Sequence, residues 1–363
     1  MKSRIIGFLI LLTIIIGGLV AYKFNTNKLT TKTNTITKVT LKGLVGGEKI
    51  GFLEDISVKN KLTDKYGITL DYSKAGSIEM VKGDTSKYDF LFPSSETALQ
   101  IFKDTKGQKM EKNQIIFNSP IVFYSWDNVT EALIKNGIVK KQNNSYYIID
   151  MPKLIDLITK GKKWSDIGLT DLYGSISVIS TDPTKSNSGN MFAGLLGNML
   201  NNGEVLDEGS VDKVLPKLKQ IFSRLGYMQN SSADLFDQYL KTGAGAKPII
   251  VGYENQIIEF AAQNPEAWKT VKAKVRILYP APTAWSAHPL IALNSKSTEL
   301  IIALTDTEIQ QLAWEKHGFR TGITGVQNNM QQVKVDGIPE NIDKVIPLPS
   351  PAIMEKIISS LTQ

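Results

Sequence analysis

The sequence predicts an α/β fold built in two lobes, and three observations support this prediction. Short runs rich in β-branched residues alternate with amphipathic helical stretches over most of residues 39–363. Glycine, proline or small polar residues stand at the boundaries between these runs, where turns are expected. The chain of 363 residues is also long enough for two domains or lobes. Strands that alternate with helices at this spacing favour a mainly parallel sheet.

The first strands and helices follow from residue 39 onward. The run ITKVTLKGLVGG alternates β-branched and polar residues and predicts a strand that ends at Gly46-Gly47. A helix is predicted around Phe52 to Tyr66, closed by Gly67, and ITLDYSKAG predicts a second strand. The run YDFLFPSSETALQIF predicts a strand, a turn and then a helix that begins near Ser94 or Ser95. The apolar run SPIVFYSW predicts a further strand.

The second half of the chain repeats this alternation. The run SISVISTDPTKSNSGNMFAGLLGNML predicts a strand, a polar turn and a helix, and KPIIVGYENQIIEFAAQNP predicts the same order again. Strands are also predicted in VKAKVRILYPAP and HPLIALNS. Helices are predicted in MPKLIDLITKGKKWSDIG, VDKVLPKLKQIFSRLGYM, TDTEIQQLAWEKHGF and SPAIMEKIISSLTQ.

The N-terminal segment predicts a membrane anchor. Lys2 and Arg4 precede the uncharged, mostly apolar run 5–22, which is near the lower length limit of a spanning helix and longer than most signal-peptide cores. Ala21 is the nearest candidate for signal cleavage, but the large Leu19 occupies the position where a small residue is preferred. We therefore expect residues 1–22 to be an uncleaved signal anchor, with secretion after cleavage as the alternative. Residues 23–38 are polar and Thr-rich and predict a linker.

Charge and residue counts exclude several classes of function. The net charge is +7, but residues 1–38 contain six basic residues and no acid, so the rest of the chain is nearly neutral. A nearly neutral domain argues against nucleic acid as a partner. The chain has no cysteine and only two histidines, which argues against a multi-histidine or cysteine-ligated metal centre. We predict no metal site and no cofactor.

Three strand-to-helix turns carry the candidate binding residues. They are the turn at Pro93, the turn Thr181 to Gly189, and the turn that follows Gly252. Ligands of open α/β sheets bind at the carboxyl ends of strands, where helix N-termini present free N–H groups. The alternative for each turn is ordinary helix capping, which uses the same residue types. The candidates are Ser94, Ser95, Ser186, Asn187, Ser188, Gly189, Tyr253 and Glu254, with Gly46 at the earlier turn because glycine permits close approach of a ligand.

No catalytic residue is predicted. The sequence has no GxSxG elbow, no phosphate-binding P-loop, no HExxH motif and no dinucleotide GxGxxG motif. Tyr253 and Glu254 are adjacent and could form an acid/base pair, although a surface or hinge carboxylate is the more common role. His288 precedes Pro289 at the start of a predicted strand, where a structural hydrogen bond is expected rather than catalysis.

The turn sequences resemble those of type II periplasmic solute-binding proteins. TDPTKSNSGNMFAGLL is similar to the strand, turn and helix of the molybdate-, sulfate- and phosphate-binding members. PIIVGYENQIIEF and ILYPAPTAWSAHPLIAL are similar to later parts of the same fold, and the resemblance covers most of residues 40–320. The resemblance implies two mixed sheets with flanking helices, in two lobes that close on a ligand. Lobe 1 would comprise residues 39–121 and 286–363, and lobe 2 residues 122–285.

The resemblance also implies a function in solute binding. We expect an extracytoplasmic, single-pass membrane protein, not an enzyme, that captures a small polar or anionic solute for uptake through an ABC-type permease or for sensing. Glu254 near the cleft would repel a dianion unless its side chain faces away. Two alternatives stay open at this point. One is an interaction protein on a binding-protein scaffold that has lost its ligand, and the other is an enzyme on the same scaffold.

Overall fold

Ten strands and fourteen α-helices form the described part of the protein, a computed structural model that describes residues 37–143 and 145–362. The predicted anchor (1–22) and almost all of the predicted linker (23–38) lie outside these residues. The strands are β1 Val39–Val45, β2 Ile68–Lys74, β3 Phe90–Phe92, β4 Lys112–Trp126, β5 Val139–Gln142, β6 Tyr146–Asp150, β7 Ile249–Tyr253, β8 Val275–Ala281, β9 Trp285–Ala292 and β10 Arg320–Thr321.

The helices flank the sheets and follow the strands along the chain. They are α1 Ile50–Glu54, α2 Ile56–Tyr66, α3 Ser77–Lys82, α4 Glu96–Lys106, α5 Asp127–Lys135, α6 Met151–Thr159, α7 Asn187–Leu200, α8 Val211–Ser223, α9 Ser232–Thr242, α10 Glu254–Gln263, α11 Pro265–Val271, α12 Ser295–Leu304, α13 Thr307–His317 and α14 Pro351–Leu361. None of the helices in the described part of the chain is long and apolar enough to cross a lipid bilayer.

Two sheets share the long strand β4, and each sheet is the centre of one lobe. In lobe 1 the strand order is β2-β1-β3-β9-β4, with β10 also pairing with β4. In lobe 2 the second half of β4 pairs with β7 and β8, and β8 continues to β6 and β5. The pairing of β4 with β9 ends at Pro120, and the pairing with β7 begins at Ile121. The chain therefore changes lobe within β4 and returns between β8 and β9.

The sheets are mixed, and antiparallel pairs outnumber parallel ones. Six of the nine strand pairings in the described residues are antiparallel. The strand–helix alternation had favoured a mainly parallel sheet, and this expectation is wrong. The reason is β4, whose four neighbours β7, β8, β9 and β10 all run opposite to it.

Local signals explain most element boundaries. The predicted helix Phe52–Tyr66 is two helices, because Asp55 leaves helical geometry and its carboxylate accepts from the N–H groups of Ser57 and Val58 to begin α2. Gly67 ends α2 at a φ of 67°, which a glycine adopts without strain. The predicted strand SISVIST is not a strand, since only Ile179 pairs with β7.

The C-terminal segment differs from the predicted lobe assignment. Strand β9, helices α12 and α13 and strand β10 belong to lobe 1, but α14 packs on α7 and α8 of lobe 2. Gly194 and Gly197 of α7 have no side chain, and Met354 and Ile357 of α14 pack over these two positions. The assignment of all of residues 286–363 to lobe 1 therefore needs correction for α14. The other predicted boundaries stay a prediction.

Candidate functional site

Several of the predicted binding residues meet where the two lobes touch. Ser94 follows β3 in lobe 1 and is buried, and its carbonyl oxygen accepts a hydrogen bond of 2.6 Å from the side-chain amide of Asn187 in lobe 2. The same amide nitrogen lies 3.0 Å from the hydroxyl oxygen of Tyr253, at the end of β7. The hydroxyl of Ser286 in β9 donates to the Ser94 carbonyl at 2.7 Å. Strand ends and a helix start from both lobes are thus joined by hydrogen bonds.

A fully buried lysine extends this contact. The Lys49 ammonium lies 2.7 Å from the Glu48 carboxylate, 2.5 Å from the Ser94 hydroxyl and 3.3 Å from Nδ1 of His288. Burial penalises the ammonium more than the negative charge of Glu48 favours it, so the pKa of Lys49 is lowered from its ordinary value. We call Glu48, Lys49, Ser94, Asn187, Tyr253, Ser286 and His288 the interlobe cluster.

His288 is a neutral member of the interlobe cluster. Its ring is fully buried, and burial together with the positive charge of Lys49 holds its pKa well below the ordinary value. Nδ1 therefore acts as an acceptor for the Lys49 ammonium, and the proton lies on Nε2. Among the described residues, Nε2 has no hydrogen-bond partner. The structural hydrogen bond expected for His288 is thus made to a charged group beside the candidate site.

Tyr253 stays protonated in this environment. Its side chain is buried, and burial and the nearby negative charge of Glu48 raise the pKa of its hydroxyl above the usual range. The hydroxyl accepts from Asn187 and keeps its own proton for donation. Tyr253 therefore supplies a neutral hydrogen-bond donor from lobe 2.

Two glycines allow the backbone to approach these groups closely. A Cβ atom on Gly46 would lie 2.6 Å from both the Ser94 hydroxyl oxygen and a carboxylate oxygen of Glu48. A Cβ atom on Gly189 would lie 2.3 Å from the carbonyl oxygen of Thr181. Real Cβ atoms do not approach so near, so any side chain at either position would force its neighbours to move. Gly46 borders the interlobe cluster directly, whereas Gly189 holds the start of α7 against its own lobe.

The serines of the SNSG turn hydrogen-bond one another within lobe 2. The Ser188 hydroxyl lies 2.8 Å from that of Thr181 and 3.1 Å from that of Ser186. Ser186 is the N-cap residue of α7, yet its side chain makes no capping hydrogen bond. Asn187 is the residue of this turn that reaches lobe 1.

Two predicted binding residues have structural partners instead. The Ser95 hydroxyl accepts from the N–H of Ala98 at 3.2 Å and caps α4. The carboxylate of Glu254 is fully buried and paired with Arg320 at 2.6 Å and 3.0 Å, and the Tyr279 hydroxyl donates to it at 2.7 Å. Glu254 is therefore occupied in an ion pair, and the carboxylate that joins the interlobe cluster is that of Glu48.

A cavity adjoins the contact between the lobes. Its volume is about 580 Å³, which is within the range of small-molecule sites. Ser77 lines it from lobe 1, Ser186, Asn187 and Asn190 line it from lobe 2, and Met354 of α14 lines the remaining side. The Ser77 hydroxyl also accepts from the N–H of Ser94 at 3.0 Å, which connects the cavity wall to the interlobe cluster.

Sequence reasoning missed four members of the interlobe cluster as site residues: Glu48, Lys49, Ser286 and His288. Glu48 and Lys49 form a short helical turn directly after Gly46-Gly47, so the glycine turn was the available signal. His288 and Ser286 lie in β9. The sequence predicted a strand here but did not indicate that its side chains would lie at the contact between the lobes. Within the described residues, no group of three or more histidine, aspartate or glutamate side chains could hold a metal ion.

Comparisons with known proteins agree on the fold. No protein-family model matches the sequence, and no curated protein matches it either. Among solved structures, iron-bound HitA from Pseudomonas aeruginosa has a TM-score of 0.56 at 14% identity, covering 89% of this chain and 97% of that one. The substrate-binding protein of the ABC transporter from Agrobacterium tumefaciens has a TM-score of 0.55 at 11% identity, covering 92% and 96%.

A third similar structure is the sulfate-binding protein SubI from Mycobacterium tuberculosis H37Rv. Its TM-score is 0.50 at 17% identity, and the match covers 78% of this chain and 87% of that one. One of the three is named a sulfate-binding protein, one is the substrate-binding protein of an ABC transporter, and one is iron-bound. Each match extends over most of both chains. The resemblance predicted from the turn sequences is confirmed at the level of the fold. The chain has the two-lobed fold of the type II periplasmic solute-binding proteins.

Proposed function

We propose that the protein captures a small polar solute between its two lobes, for uptake by a membrane transporter or for sensing. The observation that carries the proposal is the hydrogen bond from Asn187 of lobe 2 to Ser94 of lobe 1, inside a buried polar cluster drawn from both lobes. A solute that bridges such groups touches both lobes only when they are together, so its binding favours the closed state. The similar solved structures bind sulfate or iron or serve an ABC transporter, which supports an ABC-type permease as the partner.

The test is a thermal-shift screen of sugars, amino acids, small carboxylates and oxyanions on the purified protein. A solute that binds the native state raises the melting temperature. Replacing Asn187 by alanine removes one neutral hydrogen bond at the site and should weaken binding of that solute roughly three- to tenfold. Asn190→Ala, on the same helix and in the cavity wall, is the matched control and should weaken it less. If Asn187→Ala leaves the affinity for that solute unchanged, the binding site lies elsewhere.

A second candidate function is protein interaction without a solute. One observation favours it, since the polar groups of the closed cleft already satisfy one another through the Lys49–Glu48 pair and the Asn187–Ser94 hydrogen bond. Under this alternative, Asn187→Ala would lower the melting temperature while no compound in the screen raised it. Capture of a solute predicts at least one positive compound.

We also propose that residues 1–22 anchor the protein in the membrane and that residues 39–363 lie outside the cytoplasm. The basic flank and the apolar run of 18 residues support this proposal. The native protein should be recovered in the membrane fraction, and a protein without residues 1–38 should be soluble. N-terminal sequencing of the native protein that starts near Lys23 would instead show a cleaved and secreted form.

A further inference from the structure

The charge balance of the interlobe cluster limits the solutes that it accepts. Its cation is Lys49 and its anion is Glu48, while His288 is neutral and Tyr253 is protonated. We propose that Glu48 excludes inorganic oxyanions by keeping Lys49 paired, so that the captured solute carries no net negative charge and offers an N–H or O–H donor to the Glu48 carboxylate. This inference rests on the proposed function, because it names the class of solute for the same cleft.

The first step of the argument is that Lys49 has no proton left for a ligand. An ammonium group carries three protons. The three acceptors within reach are the carboxylate of Glu48, the hydroxyl of Ser94 and Nδ1 of His288. All three lie in lobe 1, so this arrangement does not depend on closure of the lobes. An oxyanion could reach Lys49 only by displacing one of these acceptors.

The second step is that Glu48 keeps unused acceptor capacity. A carboxylate has two oxygens, and only Oε1 of Glu48 lies within bonding distance of Lys49. In the described residues no hydrogen bond reaches Oε2. The Glu48 side chain is 13% exposed, whereas the side chains of Lys49 and His288 are completely buried. Glu48 is therefore the charged member of the cluster that keeps access to solvent, and it presents an acceptor.

The third step concerns the neutral groups that lobe 2 brings to the contact between the lobes. The Tyr253 hydroxyl and the Asn187 amide are neutral, and the SNSG hydroxyls are bonded to one another. These groups do not compensate the repulsion between Glu48 and a dianion at close range in a poorly solvated site. A sugar, an amide or an ammonium group, by contrast, gains a charge-assisted hydrogen bond from the same carboxylate.

The test is a gain of sulfate binding when Glu48 loses its charge. Glu48→Gln keeps the size of the side chain but leaves Lys49 without its anion, so an added anion can take that place. We expect isothermal titration calorimetry of the full-length protein in detergent to show no sulfate binding for the unchanged protein. The Glu48→Gln protein should bind sulfate with an affinity at least tenfold above the detection limit of the titration, and more tightly still as the pH falls and Lys49 is more fully protonated. Glu79→Gln, the same change in the cavity wall, should show no gain.

Each outcome decides the inference separately from the proposed function. Sulfate binding by the unchanged protein, or a folded Glu48→Gln protein that gains none, overturns the role of Glu48. If Glu48→Gln does not fold, the test uses Glu48→Asp, which keeps the charge. Neither this variant nor the unchanged protein should then bind sulfate or phosphate. A gain of sulfate binding by Glu48→Gln, with no positive compound in the solute screen, would support the role of Glu48 and count against solute capture.

Discussion

Two of the buried charges in the described residues, those of Lys49 and Glu254, have partners of opposite charge. Lys49 is matched by Glu48, and Glu254 is matched by Arg320, which also donates to the carbonyl oxygens of Pro339 and Glu340. A buried charge without a partner costs several kcal/mol, so each partner is required once the other is present. The two sets differ in surroundings, because the Glu254–Arg320 pair is closed to solvent whereas Glu48 is partly exposed. Of these two pairs, the Glu48–Lys49 pair is the one that we propose takes part in recognition.

A prediction at this scale separates helix capping from ligand contact. Ser95→Ala removes the hydroxyl that caps α4 and should lower the free energy of unfolding by about 0.5–2 kcal/mol. Ser186→Ala removes a hydroxyl that makes no capping hydrogen bond, so the loss of capping energy should be smaller there. Urea denaturation of both variants measures the difference. If Ser95→Ala left stability unchanged and weakened solute binding, the hydroxyl would belong to the site.

The candidate residues illustrate what sequence can and cannot show about a site. The turn with Ser94 and the turn with Asn187 were predicted, because small polar residues between a strand and a helix leave a local signal. The pairing of Lys49 with Ser94 and His288 leaves no such signal, since 45 and 239 positions separate the partners along the chain. Glu254 and Glu48 are both acids beside a strand end, and only the packing shows which of them joins the cluster.

At the scale of elements, local signals predicted that a helix or strand is present better than they predicted which other elements it packs against. Helix α14 was predicted from its pattern. Its packing on lobe 2, however, depends on glycines of α7 that have no side chain and lie more than 150 residues earlier in the chain. The strand predicted in SISVIST has the right composition, but only one of its residues meets β7. Composition indicates that a segment favours a strand, whereas pairing depends on the distant strand that it meets.

Helix α13 gives a prediction about pH. Asp306 caps this helix and accepts from the Lys65 ammonium and the Tyr66 hydroxyl, each at 2.6 Å. Partial burial would raise the pKa of Asp306, but the hydrogen bonds from Lys65 and Tyr66 outweigh it and lower the pKa to about 2. The folded pKa is below that of the unfolded chain, so the stabilisation is complete above about pH 4 and is lost as the pH falls towards 2.

The corresponding experiment compares Asp306→Asn with the unchanged protein. At pH 6 the variant should be less stable by about 1–2 kcal/mol, since it loses the ion pair and part of the cap. The difference should shrink as the pH falls from 4 towards 2, because protonation of the carboxylate then progressively removes the stabilisation in the unchanged protein. Thermal unfolding followed across this pH range measures the difference. A difference that is constant with pH would assign the effect to packing.

At the scale of the whole molecule, the two lobes are joined by β4, by the passage from β8 to β9 and by the segment after β10. Thr283, within the passage, exchanges backbone hydrogen bonds with Lys344 and Ile346 of that last segment. The lobes can therefore separate only by bending three adjacent stretches of chain together. This geometry favours a hinge motion over independent movement of the lobes.

The hinge gives a prediction about closure that uses the absence of cysteine. Cysteines introduced at the exposed Ile56 of lobe 1 and Tyr173 of lobe 2 are unique sites for fluorescent labels. Removal of the Asn187–Ser94 hydrogen bond by Asn187→Ala should shift the labelled population towards lower energy transfer, and Asn190→Ala should not. Equal transfer efficiency in all three labelled proteins would mean that this hydrogen bond does not stabilise closure.

The position of β9 between β3 and β4 has a consequence for the newly made chain. About 200 residues separate Phe92 from Trp285, and strands β5 to β8 of lobe 2 lie between them. While the ribosome is still extending the chain, β3 has an open edge on the side that β9 later covers. An open edge is a template for pairing with other chains. Nascent chains that stop before residue 285 should therefore aggregate, whereas those that have passed residue 292 can complete the sheet.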